Sequence, residues 1–199
     1  MNKRSKIQIK NESVLYSGWS ILKRYELEYT RDDGRVETQV REIYNSGDGA
    51  AVLMYDLNAR KVLLIQQFRL AALLHGHQDG FIYECCAGML DDLSPQDAII
   101  KEIYEETGYR VDDVQKIYEG FATPGAHMEK IHFYVCAFNH NHQEHHGGGE
   151  AAEQEEIWLK MVDFDDIKEL LKSGSIVDAK TIILLQWALL YLVKDAHKK

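Results

Sequence analysis

The segment Ser94-Pro-Gln-Asp-Ala-Ile-Ile-Lys-Glu-Ile-Tyr-Glu-Glu-Thr-Gly108 constrains this chain more than any other stretch. Ser94 suits an N-cap, Pro95 the first helical position and Gly108 the residue past the end, so a helix is predicted over Ser94–Thr107. On it Glu102, Glu105 and Glu106 fall at i, i+3 and i+4, and at about 100° per residue they share one arc. Like charges at these spacings repel and weaken a helix. A cation on that face turns the repulsion into a binding site, because magnesium favours carboxylate oxygens together with substrate phosphates. The alternative is a solvated acidic helix face.

The surroundings favour the site. Ala50–Tyr55, Lys61–Phe68 and Phe81–Ala87 are apolar runs that read as buried strands, and the third feeds a tight turn at Ala87-Gly88. Backbone carbonyls of such a turn can join the carboxylates as ligands. Further strands are expected near Gln115–Phe121, Ile131–Phe138 and Ile157–Met161. A helix over Phe164–Lys172 is closed by Gly174, and Asp178 caps a final apolar helix. Strands mixed with helices imply an α/β fold with a central sheet covered on its faces.

The first 45 residues have another character. Tyr25, Leu27 and Tyr29 alternate with Arg24, Glu26 and Glu28, the period of a half-buried strand. Asp33-Gly34 supplies a turn, and Val36–Tyr44 returns as an antiparallel partner. Two domains are therefore expected, an N-terminal β-hairpin unit over 1–45 and a larger domain over 46–199. The hairpin is too small to be stable alone, so it should pack on a partner subunit. Gly47 and Gly49 do not begin a dinucleotide loop, since Val52 holds the third glycine position and a strand follows.

Composition narrows the partners. A formal net charge of -9 argues against binding nucleic acid through its backbone. It says less about anionic substrates, since a bound divalent cation reverses the local field. Cys85, Cys86 and Cys136 have neither the count of a disulfide framework nor zinc spacing, and read as small buried side chains. Met1–Ser13 carries no apolar signal, and the longest apolar stretch, Thr181–Val193, is 13 residues against the roughly 20 a bilayer needs. A soluble cytoplasmic protein without a membrane partner is expected. The run Asn139–His146 before Gly147-Gly148-Gly149 reads as a solvated mobile loop, not a metal site, and would carry the acidic stretch Glu150–Glu156 towards the helix glutamates.

Lys101-Glu-Ile-Tyr-Glu-Glu-Thr-Gly-Tyr109, with Gly88 upstream, resembles the signature of the Nudix hydrolase superfamily, G-x5-E-x7-R-E-U-x-E-E-x-G-U with U apolar. Lys101 replaces the arginine, Leu93 stands where the loop glutamate is expected, and the loop is one residue short. Further stretches are similar to the GDP-mannose pyrophosphatase branch: Arg41–Tyr44, Leu64–Arg69, Glu84–Asp91, Ile131–Phe133, Gly147–Gly149 and Asp178–Thr181. The resemblance implies a Nudix α/β/α sandwich with a mixed sheet and an N-terminal antiparallel β-hairpin unit exchanged in a homodimer. It implies catalysis by Glu102, Glu105, Glu106 and Glu155, with Mg2+ held by the Ala87 carbonyl, Glu102, Glu106 and Glu155. Substrate contacts are implied for Trp19, Arg41, Glu42, Arg69, Ala87, Gly88, Glu129 and Lys180. Val40 stands where the branch has a basic residue and Trp19 where it has tyrosine. The expected reaction is hydrolysis of a nucleoside diphosphate sugar, GDP-mannose to GMP and mannose 1-phosphate. The alternatives are an ADP-ribose or ADP-sugar pyrophosphatase and a non-catalytic nucleotide-sugar sensor.

Overall fold

The structure is a computed structural model that describes residues 6–149 and 156–193. It divides into two compact units, one formed by the residues up to Asp48 with Gly120–Ile131, the other by Gly49–Glu119 with the chain from His132 onward.

The first unit holds a three-stranded antiparallel sheet in the order β1-β2-β3, with β1 Ile7–Ser17, β2 Ile21–Thr30 and β3 Val36–Asn45. The expected hairpin is β2 and β3, paired in continuous register from Ile21↔Asn45 to Thr30↔Val36. Strand β1 is an addition. Its polar Lys10-Asn11-Glu12-Ser13 stretch masks the alternation, and the register against β2 slips at Asn11 and again at Tyr16. Ile7, Ile9, Val14, Leu15 and Tyr16 all stand exposed along it. Gly120–Ile131 is tied to the end of β3: the Tyr44 and Met128 amides donate to the Ala126 and Tyr44 carbonyls, and the Lys130 amide to Asp48.

The seven-stranded sheet is built on β4 Gly49–Asp56, β5 Lys61–Phe68, β6 Phe81–Glu84, β7 Cys86–Met89, β8 Gln115–Phe121, β9 Lys130–Ala137 and β10 Trp158–Asp163. The sheet runs β10-β5-β4-β9-β8, with β6 added to β5 and β7 to β4. Strands β4 and β5 pair only over Met54–Asp56 and Lys61–Leu63. Beyond that they part, and β6 fills the β5 side of the gap while β7 fills the β4 side. The single strand expected over Phe81–Ala87 is thus broken at Cys85, where the chain changes neighbour. The tight turn expected at Ala87-Gly88 is likewise strand β7.

Ala50, Val52 and Met54 join Ile99 and Ile103 in one buried cluster, while Ala51 and Leu53, on the other face of the same strand, are equally buried. A strand buried on both faces reads as a continuous apolar run, which β4 is. Helix α2, Pro95–Glu102, covers the first face with Ala98 and Ile99. Helix α4, Ala179–Tyr191, packs on β4 and β6 through Thr181, Leu184, Leu185 and Ala188, the i, i+3, i+4, i+7 stripe of an amphipathic helix. Two short helices, α1 Leu70–Leu74 and α3 Ile167–Lys172, complete the unit. The first was not anticipated, since five residues carry no readable period. No helix among the described residues is long and apolar enough to cross a membrane.

One buried polar group pins the β4–β5 hairpin. The Asp56 carboxylate, 3% exposed, accepts from the Asn58, Ala59 and His140 amides and bonds the His140 ring at 2.8 Å. Burial alone raises its pKa, but the Ala59 amide, the His140 ring and amide, and the Asn58 amide outweigh it and bring the carboxyl down to about 2 from an ordinary 3.8. A depressed folded-state pKa stabilises the fold above the unfolded pKa, and that stability is lost as pH falls through the folded value. Asp56→Asn is expected to lower stability by on the order of 2 kcal/mol at pH 7. Thermal unfolding from pH 7 to pH 2 checks this: the deficit should shrink as pH falls below 4. A deficit that stays constant with pH would count against it.

Candidate active site

The caps of the acidic helix act as the sequence suggests. Ser94 accepts the Asp97 amide at 3.2 Å, Pro95 opens α2, and Gly108 closes the helix at φ 73°. The helix is not α throughout: Ile103–Thr107 is a π-helical turn. Single π turns are frequent at functional sites. Here the wider turn shifts Glu105 and Glu106 from the pure α-helical arc. The Thr107 hydroxyl donates to the Ile103 carbonyl, a bond that competes with regular helix pairing.

The three glutamates occupy different environments. Glu106 is buried at 2% exposure, whereas Glu102 and Glu105 are half-buried. Lys101 bonds Glu105 at 2.6 Å, so the lysine that replaces the signature arginine serves as an ion-pair partner within the helix. The Glu102 carboxylate lies on the backbone of Gly88, where a Cβ would run into its carboxyl group. The Cys86 thiol is pushed well up by burial, then by the charge of Glu106 and its hydrogen bond, then by Glu102. Both carboxylates therefore face β7 at Cys86–Gly88. The donors gathered there, Glu102, Glu106 and the Ala87-Gly88 backbone, are hard oxygens, the kind a divalent cation such as magnesium or calcium takes. Among the described residues no group of three or more His, Cys, Asp or Glu side chains is set to hold a metal. Glu155, the further ligand implied by resemblance, lies outside the described residues.

The helix end is held by the histidine-rich segment. The Glu144, Gly148 and Gly149 amides donate to the Gly108, Glu106 and Glu105 carbonyls, and the Gln143 side chain donates to the Thr107 carbonyl. These are the orphan carbonyls that every helix C-terminus leaves. Gly147 sits at φ 65° where a Cβ would strike the Glu106 carbonyl, so the glycine run is a fitted contact. This corrects the expectation of a mobile loop, since the segment is bonded to the helix end. The solvated reading holds for the exposed side chains of His142 and His146, whereas His145 accepts the Gly147 amide at 3.0 Å through Nδ1 and packs edge-on against Tyr104.

A second cluster lies at the end of β5. Arg69 bonds Glu84 through Nε at 2.9 Å and Nη2 at 2.8 Å. The hydrogen bonds to Glu84 raise the Arg69 pKa most, burial lowers it, and Glu84, Glu106 and Asp178 add attraction. Lys180 bonds Asp178 at 2.7 Å. Burial depresses the Lys180 ammonium, but the charges of Glu84 and Asp178 carry its pKa above the ordinary value. Asp178 also caps α4, accepting both the amide and the hydroxyl of Thr181. Glu84 and Asp178 were not among the expected site residues. Their signal was present: Glu84 is a carboxylate inside an apolar strand run, and a charge is almost never fully buried unless paired.

The second unit thus brings together Glu102, Glu106, Ala87 and Gly88, with Arg69 within charge reach of Glu106 and Lys180 within charge reach of Arg69 and Glu84. Trp19, Arg41, Glu42 and Glu129 belong to the first unit. Trp19 is in the β1–β2 bend at 78% exposure, not in a strand, and Arg41 bonds the Val40 carbonyl and Gln39. Glu129 stands 3.4 Å from the His127 ring.

A carboxylate-bearing helix closed on a strand backbone, with half-buried cations nearby, is the arrangement of a metal-assisted hydrolase of phosphate anhydrides. The NUDIX domain model matches residues 46–185, and the model described as GDP-mannose pyrophosphatase NudK N-terminal domain matches residues 6–44. GDP-mannose pyrophosphatase from Pectobacterium atrosepticum is 37% identical over 186 residues, 94% of this chain and 95% of that protein. The protein of the same description from Cronobacter sakazakii is 39% identical over 180 residues, 90% and 93%. A crystal structure of an ADP compounds hydrolase matches with TM-score 0.72 over 96% of both chains at 16% identity, a likeness of fold. The chain belongs to the Nudix hydrolase family, whose members generally use a divalent metal ion.

Gly88→Ala is expected to displace the Glu102 carboxylate while leaving the fold intact, because the atom in the way is the end of a flexible side chain. Manganese affinity, measured by water-proton relaxation, should weaken by about tenfold or more. Unchanged affinity at unchanged Tm would refute the cradle.

Proposed function

We propose that the protein is a Mg2+-dependent pyrophosphatase of nucleoside diphosphate sugars, converting GDP-mannose and water to GMP and mannose 1-phosphate. The observation that carries this reading is the seating of Glu102 and Glu106 against β7, with Arg69 within charge reach of Glu106 and Lys180 beside Arg69 and Glu84. Relatives that match more than nine-tenths of the chain bear the name GDP-mannose pyrophosphatase. Glu102, Glu106 and the Ala87 carbonyl would hold the cation, with Glu155 as a further ligand. When bound, the cation supplies charge neutralisation at the phosphate oxygens and a lowered pKa for the attacking water. Arg69 and Lys180 bind the diphosphate, and a carboxylate of the Glu102, Glu105, Glu106 and Glu155 set takes the proton of the water. Water adds to one phosphorus, the bridging P–O bond breaks, and the second phosphate leaves with its sugar or nucleoside.

The domain division at 45/46 and a homodimer belong to the same proposal. Support for the dimer comes from the apolar side chains exposed along β1, a patch of the kind that marks protein interfaces. Trp19, Arg41, Glu42 and Glu129 are proposed to contact the sugar nucleotide, with Trp19 stacking on the base. Three free buried thiols suit a reducing cytoplasm. Hydrolysis of an ADP-sugar is the second reading: Val40 and Trp19 depart from the GDP-mannose branch, which leaves base and sugar preference open.

A panel of GDP-mannose, GDP-glucose, ADP-ribose and ADP-glucose tests the choice, and kcat/KM is expected to be highest for GDP-mannose. Chelation should abolish turnover, and Glu106→Gln should lower kcat by ~10³ or more, roughly 4 kcal/mol of barrier. Higher kcat/KM on ADP-ribose would move the protein to the second reading, and a near-normal Glu106→Gln variant would sink the site assignment. Deleting residues 1–44 is expected to give an inactive or poorly soluble chain, and an active monomer by light scattering would exclude the shared-site dimer.

A further inference from the structure

Glu84 and Asp178 neither hold the cation nor take the proton of the water, yet they are the acids bonded to Arg69 and Lys180. Glu84 is the last residue of β6, directly across from Ile65, and is 2% exposed. Its two oxygens take the Nε and one Nη of Arg69, a planar fork that fixes the guanidinium in orientation as well as position. An arginine has five donors, so the fork leaves further N–H groups on the guanidinium for an anion. Arg69 is the more exposed partner of the pair, 41% against 3% for Glu84. The acid is thus the fixed base, and the arginine reaches outward from it.

The other cation is tied to the same point of the chain. At the β6–β7 break the Cys85 amide donates to the Thr181 hydroxyl at 2.7 Å. That hydroxyl donates to Asp178 Oδ2 at 2.7 Å, and Asp178 Oδ1 holds Lys180 at 2.7 Å. One continuous series of bonds therefore runs from the residue after Glu84 to the Lys180 ammonium. Two cations set side by side repel, and the buried Glu84 and half-buried Asp178 offset them. Arg69, Lys180, Glu84 and Asp178 sum to zero formal charge.

We propose that Glu84 is a positioning residue for the substrate diphosphate, holding Arg69 by a two-bond fork while the Cys85–Thr181–Asp178 series holds Lys180 beside it. The proposal rests on the functional reading above. It assigns Glu84 no contact with substrate and no proton transfer. Its effect passes through Arg69.

The test is a double-mutant cycle on the full-length protein. Glu84→Gln keeps the shape but loses the charge and one acceptor of the fork. It is expected to lower kcat/KM for GDP-mannose at least 30-fold, with KM raised at least tenfold. In an Arg69→Ala background the same change should alter kcat/KM by less than threefold. Equal losses in both backgrounds would mean Glu84 serves only the fold and would overturn the proposal. Should Glu84→Gln not fold, Arg69→Lys carries the test, since it keeps the charge and loses the fork. A tenfold or greater loss at unchanged Tm is expected, and a near-normal Arg69→Lys would overturn the proposal. If the unaltered protein hydrolyses no member of the sugar-nucleotide panel, the functional reading fails, and calorimetric binding of methylenediphosphonate with magnesium still tests Glu84. At least tenfold weaker binding in Glu84→Gln, absent in the Arg69→Ala background, supports positioning. No binding by the unaltered protein, or equal weakening in both backgrounds, overturns it.

Discussion

Strands β4 and β5 share three register pairs and then diverge, and the strands that fill the gap carry Glu84, Ala87 and Gly88. A parted pair of strands leaves backbone groups that must find other partners, because a buried unpaired amide costs ~1–3 kcal/mol. Strands β6 and β7 supply them, one on each lip. The chain crosses between the lips at Cys85, and there it leaves the ladder for one residue. Its amide is satisfied by a side chain, Thr181, so the N-terminus of α4 is drawn to the crossing point. The elements carrying Arg69, Glu84, Ala87, Gly88 and Lys180 are thereby brought together by one topological requirement.

The acidic helix meets that gap from the other direction. Three carboxylates on one turn destabilise a helix, and a buried carboxylate adds a desolvation penalty. Several features offset this locally. Lys101 takes Glu105, Gly88 makes room for Glu102, and the Cys86 thiol lies against Glu106 with its own ionisation suppressed. The last turn widens to π, and its carbonyls are bonded from outside by the Gln143–Gly149 segment. The glycines of that segment are required by contact: the Glu106 carbonyl leaves no room for a side chain at Gly147.

Much of this was legible in the sequence because it is local. Caps at Ser94 and Asp178 and the buried runs of β4 and β5 depend on neighbours within a few residues, and all are found as read. What was not legible is set by distant partners. The break at Cys85 depends on which strand each half joins. Strand β1 hides because slips in its register spoil the alternation. The histidine-rich segment reads as loose because its composition is polar and glycine-rich, and nothing in it announces that its amides complete a helix more than thirty residues upstream. The π turn likewise has no period of its own in five residues.

The acidic character of the chain bears on the same point. With a formal net charge of -9, the protein cannot attract an anionic substrate by its overall field. Recognition has to be made at short range, where burial strengthens each interaction and partners can be fixed. Arg69 and Lys180 are held in that way, each against a carboxylate that is itself buried or capping a helix. An arginine left alone at the surface would keep its rotamer freedom and lose it only on binding. One already forked on Glu84 has lost that freedom in the free protein, so an arriving phosphate gains the contact with little further ordering. Glu84 and Asp178 therefore serve anion binding, although their own charge opposes it.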